Sequence, residues 1–232
     1  MAENERMGKP AACLFDLDGL LLDTEPLHAQ AWRQAAEHFG YLLTDAQLLG
    51  LRGRRRLDCA AQVVDWIEAA QGSAPSPEAL LAVRQPIAEA LLIHAQPTAG
   101  AEELVQRCVA LAIPMALATS SSRAAVALKT KPHPWLEVIT TRVHGDDPAL
   151  AAGKPAPDVF LLAAERLGVA PEQTWAFEDS PAGAQAARAA GCQVFVVPPA
   201  QISDRERQRI YPGIERFLSS LLQAPLLAMG GE

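Results

Sequence analysis

The sequence lacks the features that define several classes of protein. Its four cysteines, Cys13, Cys59, Cys108 and Cys192, lie far apart and form no C-x-x-C pair. This spacing excludes a zinc site built from cysteine pairs and a small disulfide scaffold, and it favours buried thiols in a reducing compartment. No run approaches the roughly 18 uninterrupted apolar residues of a membrane span, and the polar N-terminus is not typical of a signal peptide. We therefore expect a cytoplasmic protein.

Positive charge is also scarce. The 232 residues carry a formal net charge of −7, and arginine and lysine are scattered apart from one short run at 54–56. An acidic chain without a basic stripe is a poor candidate for nucleic-acid binding. The sequence thus predicts neither a nucleic-acid nor a membrane partner. We expect a monomer or weak dimer, because nothing indicates an obligate interface.

The chain does have short apolar runs that alternate with helical patterns. Half of its residues are hydrophobic, which suffices for one core domain and a smaller partner domain. Buried strands that alternate with helices predict right-handed βαβ units and a parallel sheet. We therefore predict an α/β fold with a Rossmann-like parallel sheet, whose strands are AACLF (11–15), PMALA (114–118), EVITT (137–141), TWAF (174–177) and QVFVV (193–197).

A long segment without strands separates the first two of these runs. About 70 residues is too long for one crossover helix, and residues 24–95 contain three or four helix-like segments, near 25–39, 45–50, 57–70 and 77–93. The segment therefore predicts an inserted all-helical cap domain, hung on hinges near 21–24 and 96–100. The α/β core domain would comprise 1–22 and 97–232, and the cap domain 23–96. The alternative is a set of extra helices packed rigidly on the sheet.

Three of the predicted strands end in polar side chains. The carboxyl ends of parallel strands lie at one edge of an open sheet, where ligands bind. Convergence of three independent strands is harder to obtain by chance than any single motif. The residues concerned are Asp16 and Asp18 after the first strand, Thr119 and Ser120 after the second, Glu178 and Asp179 after the fourth, and Lys154 just before a helix start.

These residue types suggest phosphoryl chemistry. Clustered carboxylates need a cation to coexist, and oxygen-only ligands suit Mg²⁺, which binds through carboxylates and substrate phosphate. Lys154 and the Thr119 hydroxyl would then face the remaining phosphate oxygens. Asp16 is a candidate nucleophile that forms an aspartyl phosphate. Asp18 is a candidate acid that protonates the leaving oxygen and later the base that activates water.

Each residue also has a structural interpretation. Asp16 alone is typical of a turn or a helix cap after a strand. Thr119, Glu178 and Asp179 are equally typical of caps for the helices that follow them. Lys154 in isolation is typical of a solvated surface.

Four motifs along residues 11–197 resemble those of the haloacid dehalogenase superfamily, in the same order. They are FDLDGLLLDTE, LATSS, GKPAPD and FEDSPAGAQAARAAG. The resemblance implies that superfamily's fold, with a helical cap of the type found in β-phosphoglucomutase-like and phosphoglycolate phosphatase-like members. The stretch around GKPAPD most resembles the branch that contains pseudouridine-5′-phosphate and glycerol-phosphate phosphatases.

The resemblance also implies roles for the residues at the sheet edge. They are the nucleophile Asp16, the general acid/base Asp18, the phosphate ligands Thr119, Ser120 and Lys154, and the Mg²⁺ ligands Asp16, Asp18 (through its backbone carbonyl), Asp179 and Glu178.

The helical cap is expected to supply specificity, because it can close over the leaving group and exclude water. His28, about one helical turn past the hinge, is a candidate substrate contact and equally a candidate for a partly buried helix histidine. The stretch GLRGRRRLD (50–58) falls where family members place a substrate loop, so Arg52 and Arg54 are candidates for contacting a polar or second anionic group. Asp23 and Thr24, directly before the first cap helix, are expected to cap it rather than to take part in the chemistry.

The leading hypothesis is a Mg²⁺-dependent phosphatase that hydrolyses a small phosphorylated metabolite through an aspartyl phosphate. The metabolite would be a sugar phosphate, a polyol phosphate or a nucleoside monophosphate. The alternative is a phosphosugar mutase of the β-phosphoglucomutase type, which returns the phosphoryl group to a sugar hydroxyl. A phospho-acceptor signalling domain also carries acidic residues and a lysine on a parallel sheet, but it has no acid two residues after the acceptor.

Overall fold

Six parallel strands form the centre of the protein. A computed structural model describes residues 8–200 and 202–229, so the N-terminal stretch 1–7 lies outside the described residues. The strands follow the order β3-β2-β1-β4-β5-β6 and every neighbouring pair is parallel, which confirms the predicted α/β fold. The strands are β1 (Ala12–Phe15), β2 (Met115–Ala118), β3 (Thr141–Val143), β4 (Thr174–Glu178), β5 (Gln193–Val196) and β6 (Arg216–Phe217).

Strand β1 lies in the middle of the sheet and is buried along its whole length. It is continuously apolar because both faces of a parallel sheet are covered by helices. Phe15 at its end stacks on Phe177 of β4 with ring centroids 5.3 Å apart, and Phe177 stacks on Phe195 of β5 at 5.2 Å. This aromatic row lies next to the ends of the strands that carry the predicted site.

The third strand lies later in the chain than predicted. A 3₁₀ helix at Pro134–Val138 covers the first two residues of the segment 137–141, residues 139 and 140 connect it to the sheet, and β3 begins only at Thr141. Leu136 and Ile139 are fully buried and pack into the main apolar cluster. Their burial gives a turn the apolar pattern of a strand, so the prediction of a strand at 137–141 is wrong. The apolar pattern also does not indicate β6, which has only two residues.

The first four of the five helices between β1 and β2 share an apolar cluster of their own, which includes Trp32, Ile67 and Leu80. Their bounds agree with the predicted segments to within one residue at each end, while the division of the chain into two domains stays a prediction. The helices are α1 (Glu25–His38), α2 (Asp45–Leu51), α3 (Arg56–Gln71) and α4 (Pro77–Leu92).

The two ends of this helical insertion lie side by side. The Asp23 N–H donates to the Gln96 carbonyl at 2.8 Å, and the Thr98 N–H donates to the Leu21 carbonyl at 3.1 Å. An antiparallel bridge also joins the two connecting segments. The predicted hinges near 21–24 and 96–100 therefore form one paired connection.

The remaining helices cover the faces of the sheet, as expected for crossovers between parallel strands. Gly168 directly follows the helix Asp158–Leu167 and has φ +69°, a left-handed conformation that glycine adopts without strain. All four cysteines are buried free thiols, as predicted. In 8–200 and 202–229, no helix combines the length and the apolar character needed to cross a bilayer. The helices are α5 (Ala101–Ala110), α6 (Arg123–Thr130), α7 (Asp158–Leu167), α8 (Pro181–Ala189), α9 (Asp204–Ile210) and α10 (Pro225–Ala228).

Candidate active site

The carboxyl ends of β1 and β2 open into a cavity of about 830 Å³ between the sheet edge and the helical insertion. The sheet edge contributes Asp16, Asp18 and Thr119 to its lining, and the insertion contributes Glu25 and His28. Residues from separate strands and from the insertion thus line the same cavity.

Lys154 lies between two buried carboxylates. Its Nζ donates to Asp16 Oδ1 and to Glu178 Oε1, each at 2.6 Å, and the Lys154 side chain has no exposed surface. Burial opposes the charge on Lys154, but the two carboxylates outweigh burial and raise its pKa. The interpretation of Lys154 as a solvated surface residue is therefore wrong, and its ammonium is fixed beside Asp16.

Glu178 organises the turn that follows β4. Its Oε2 accepts from the N–H groups of Asp179 (3.1 Å) and Ser180 (3.3 Å) and from the Ser180 hydroxyl (3.1 Å). Ser180 caps α8 by accepting from the Gly183 N–H, so neither Glu178 nor Asp179 is the cap. A β-carbon on Gly183 would lie 1.8 Å from Glu178 Oε1, so only glycine fits there.

Three carboxylates form a group that fits a divalent cation. One oxygen each from Asp16, Glu178 and Asp179 lies within 4.8 Å of the others. Burial and neighbouring carboxylates raise the pKa of Asp16 to about 8 against the effect of Lys154, and they raise the pKa of Asp179 well above its usual value. Asp179 Oδ2 is buried and accepts no hydrogen bond within the described part of the chain. A cation would relieve this repulsion, and oxygen donors are those that Mg²⁺ prefers.

Asp18 does not belong to this group and is held by other side chains. Burial alone would raise the pKa of Asp18, but Lys129 and His28 outweigh it and hold the pKa well below its usual value. The donors are Thr24 Oγ1 (2.8 Å) and His28 Nε2 (3.2 Å) to Oδ1, Ser121 Oγ (2.7 Å) to Oδ2, and Lys129 Nζ (2.5 Å) to both oxygens.

Thr24 stands at the N-cap position of α1 but makes no side-chain cap hydrogen bond. Its hydroxyl donates to Asp18 instead, so the expectation that Thr24 caps the helix is wrong. The two carboxylates two residues apart therefore have different surroundings: Asp16 lies with the other acids and Lys154, and Asp18 lies among donors.

Thr119 and Ser120 follow β2 and have different partners. Thr119 is buried and its Oγ1 accepts from the Ser121 N–H at 3.1 Å. Helix α6 is capped by Ser122, so Thr119 is not its cap. Ser120 Oγ donates to the Gly53 carbonyl at 2.6 Å, in the loop between α2 and α3. In this conformation Ser120 therefore joins the sheet edge to the helical insertion.

His28 connects Asp18 to the interior of the insertion. Its Nδ1 accepts from Arg84 Nη2 at 2.9 Å, so its Nε2–H donates to Asp18. Burial, helped by Arg84, lowers the pKa of His28 against the opposing effect of Asp18. The Arg84 guanidinium lies 4.2 Å above the centroid of the Trp32 ring. His28 is therefore a neutral imidazole in one fixed orientation.

The loop between α2 and α3 packs on the sheet edge. Arg52 Nε lies 3.0 Å from Glu25 Oε2, and Arg52 Nη1 lies 3.6 Å from Asp179 Oδ2. Gly53 has φ +73°, and a β-carbon there would lie 2.0 Å from Ser180 Oγ. Arg54 is half-buried and lines the cavity. The predicted substrate-loop residues thus lie at the cavity, with Arg52 engaged by two acids.

The chain matches one protein family over most of its length. The sequence profile of haloacid dehalogenase-like hydrolases matches residues 10–191. The chain belongs to this hydrolase family. It is 36% identical over 214 residues to the probable pseudouridine-5′-phosphatase of Drosophila melanogaster, covering 88% of each chain. It is 34% identical over 186 residues to the fructose-1-phosphate phosphatase of Escherichia coli, covering 78% of this chain and 93% of that one.

A solved structure supports the same relationship. CbbY from Rhodobacter sphaeroides in complex with phosphate superposes with a TM-score of 0.76 at 26% identity, and the match covers 95% of this chain and 100% of that one. The family and its phosphatase members identify an enzyme, a phosphoric monoester hydrolase. The resemblance that the four motifs indicate is confirmed.

Sequence reasoning missed Lys129 and Arg84. Lys129 lies three residues after the buried Val126 on α6, and Arg84 lies four residues from the buried Leu80 and Ala88 on α4. A basic residue on the apolar face of a helix is the signal that could have identified both, because a buried cation needs a partner.

Proposed function

We propose that this phosphoric monoester hydrolase is magnesium-dependent and acts on a small phosphorylated metabolite through an aspartyl phosphate on Asp16. The substrate would be a sugar phosphate, a polyol phosphate or a nucleoside monophosphate. The proposal depends on one observation: Asp16, which forms a buried group with Lys154, Glu178 and Asp179, lines the same cavity as Asp18. The names of the phosphatase relatives support the substrate class.

The two aspartates divide the chemistry between them. In the first step, a carboxylate oxygen of Asp16 bonds to phosphorus while the bond from phosphorus to the leaving oxygen breaks. Asp18 gives a proton to that leaving oxygen. Asp18 has to take up this proton before the step, against the low pKa that Lys129 and His28 impose in this conformation. In the second step, Asp18 takes a proton from water, whose oxygen bonds to phosphorus as the bond between Asp16 and phosphorus breaks. Asp16 then returns to a carboxylate beside Lys154.

Positive charge is needed around the transferred phosphoryl group. Asp16, Asp179 and Glu178, with the Asp18 backbone carbonyl, would hold Mg²⁺, which when bound supplies positive charge to the phosphoryl oxygens. Lys154 supplies a second cation at Asp16.

Phosphate contacts are proposed for three residues. Thr119 lines the cavity, and Lys154 Nζ lies 2.6 Å from the proposed nucleophile. Ser120 has to release the Gly53 carbonyl before its hydroxyl can donate to a phosphate oxygen. Opening of the helical insertion would break that contact.

The helical insertion is proposed to act as the cap domain, residues 23–96, over a core of 1–22 and 97–232. His28, Arg52 and Arg54 line the cavity from the insertion side and would contact the leaving group. Closure over the cavity excludes water. The phosphoryl group is then transferred to Asp16 rather than lost in side reactions with water. The cytoplasmic location expected from the sequence stays a prediction.

A panel of sugar, polyol and nucleoside monophosphates tests the proposal, with phosphate release measured in Mg²⁺ and in EDTA. We expect turnover of at least one class in Mg²⁺ only. Asp16→Asn should lower kcat by about 10⁴-fold or more, since the nucleophile is lost. The matched control is Asp65→Asn, which makes the same change at an exposed position. An active Asp16→Asn variant, or turnover unaffected by EDTA, would contradict the proposal.

A further inference from the structure

Lys129 is a completely buried lysine outside the four motifs. Its side chain has no exposed surface, and a lysine is almost never fully buried unless it is paired. An ammonium has three N–H donors. Lys129 Nζ has three acceptors, which are Asp18 Oδ1 and Oδ2 at 2.5 Å and Ser121 Oγ at 2.8 Å. Every donor of Lys129 is therefore used on Asp18 or on a hydroxyl that itself donates to Asp18.

The contacts to Asp18 come from two sides of the cavity. Lys129 and Ser121 follow β2, which is hydrogen-bonded to β1, and so they are fixed relative to the strand that carries Asp18. His28 belongs to α1 of the insertion and makes the longest contact, 3.2 Å. Movement of the insertion would remove His28 and leave Lys129 and Ser121 in place.

Lys129 does not line the cavity that would hold substrate, whereas Asp18 and Ser121 do. It can therefore act on the reaction only through the side chains it contacts, Asp18 and the Ser121 hydroxyl that itself donates to Asp18. Because Lys129 Nζ contacts both carboxylate oxygens, it fixes the rotation of the carboxylate as well as its position. A proton-transfer group has to lie within hydrogen-bond reach of its target.

We propose that Lys129 is the positioning residue for Asp18, an inference that rests on the proposed function. Lys129 fixes the Asp18 carboxylate towards the leaving oxygen whether the insertion is open or closed. Lys129→Met would leave Asp18 with Thr24, His28 and Ser121, two of which contact the same oxygen. The carboxylate could then rotate. A misplacement of the order of 1 Å can cost about 10²-fold in rate.

The leaving group distinguishes this role from a general effect on folding. Benzyl phosphate releases an alkoxide, which needs a proton from Asp18, whereas p-nitrophenyl phosphate releases a stable phenolate, which does not. The quantity kcat/KM reports on the steps up to phosphoryl transfer, in which Asp18 acts as the acid. Loss of positioning should therefore lower kcat/KM for the first probe much more than for the second.

The test compares Lys129→Met, Lys129→Arg and Lys131→Met with both probes in Mg²⁺. We expect Lys129→Met to lower kcat/KM about 10²-fold for benzyl phosphate and less than about 5-fold for p-nitrophenyl phosphate. Lys129→Arg keeps the charge and should restore part of the loss. Lys131→Met is the matched control at an exposed position on the same segment. Circular dichroism and thermal melts of each variant report on folding.

Equal losses with both probes, or no loss, would overturn the proposal. A second measurement applies even if neither probe is hydrolysed: crystal structures of the two Lys129 variants with Mg²⁺ and inorganic phosphate. Asp18 should adopt another rotamer in Lys129→Met and keep its position in Lys129→Arg, and an unmoved Asp18 in Lys129→Met would refute the positioning role. Failure of the wild type to release phosphate from any ester would instead count against the proposed function.

Discussion

Replacing Lys154 by methionine should destabilise the metal-free protein strongly. The side chain has no exposed surface, and its ammonium compensates two carboxylates at 2.6 Å, those of Asp16 and Glu178. Removal of one partner from a buried ion pair costs about 3–5 kcal/mol, because the remaining charge stays buried and unpaired. For a chain of this size each kcal/mol lowers Tm by about 2–4 °C, so we expect a decrease of about 6–20 °C.

Differential scanning calorimetry in EDTA measures this decrease, with Lys131→Met as the exposed control. The decrease in Tm caused by Lys154→Met should be smaller at pH 6 than at pH 8, because protonation of Asp16 removes one of the two charges that Lys154 no longer pairs. Saturating Mg²⁺ should recover part of the loss, because a cation that binds only the folded state stabilises it by mass action. A Tm within about 2 °C of the wild type in EDTA at pH 8 would refute the argument that Lys154 compensates both acids.

Three further predictions follow from the same contacts. In EDTA the free energy of unfolding should fall as pH rises from about 4 to about 8, since folded Asp16 (pKa about 8) and Glu25 (pKa about 7) keep protons that the unfolded chain has already lost. Urea denaturation across this range checks it, and stability that rises with pH would contradict it. Gly53→Ala should lower kcat/KM by about 10-fold or more, because the new β-carbon would collide with Ser180 and keep the loop from docking. Gly50→Ala, which meets no atom within 4 Å, is its control, and equal kinetics of the two variants would exclude a docking role. Incubation with β-glucose 1-phosphate and a trace of the bisphosphate should release inorganic phosphate if this substrate is accepted, whereas accumulation of glucose 6-phosphate would identify the mutase alternative.

The parts of the site that follow from topology could be predicted from the sequence. Asp16 ends a run of apolar residues that both faces of a sheet must bury, and its position at the sheet edge follows from that pattern alone. The same holds for Glu178 after β4. The predicted helices of the insertion agree with the structure, because they are long and their apolar spacing is regular.

The parts that depend on how helices pack could not be predicted. Thr24 has the residue type and position of a helix cap, yet its hydroxyl donates to Asp18 because the turn after β1 brings the two side chains together. Lys129 reaches Asp18 across 111 positions of the chain. The prediction of short elements was incorrect for another reason. At 134–139 a buried turn has the same apolar content as a strand, and β6 has too few residues to show any period.

The paired connections at 21–24 and 96–98 have an evolutionary consequence. The chain leaves and re-enters the sheet unit at a single point, with the Asp23 N–H on the Gln96 carbonyl. A segment whose two ends meet can be lengthened, shortened or exchanged without altering the register of β1 against β2, because no strand spacing depends on it. Selection for a new leaving group can therefore act on the helical segment while the reacting carboxylates stay where they are.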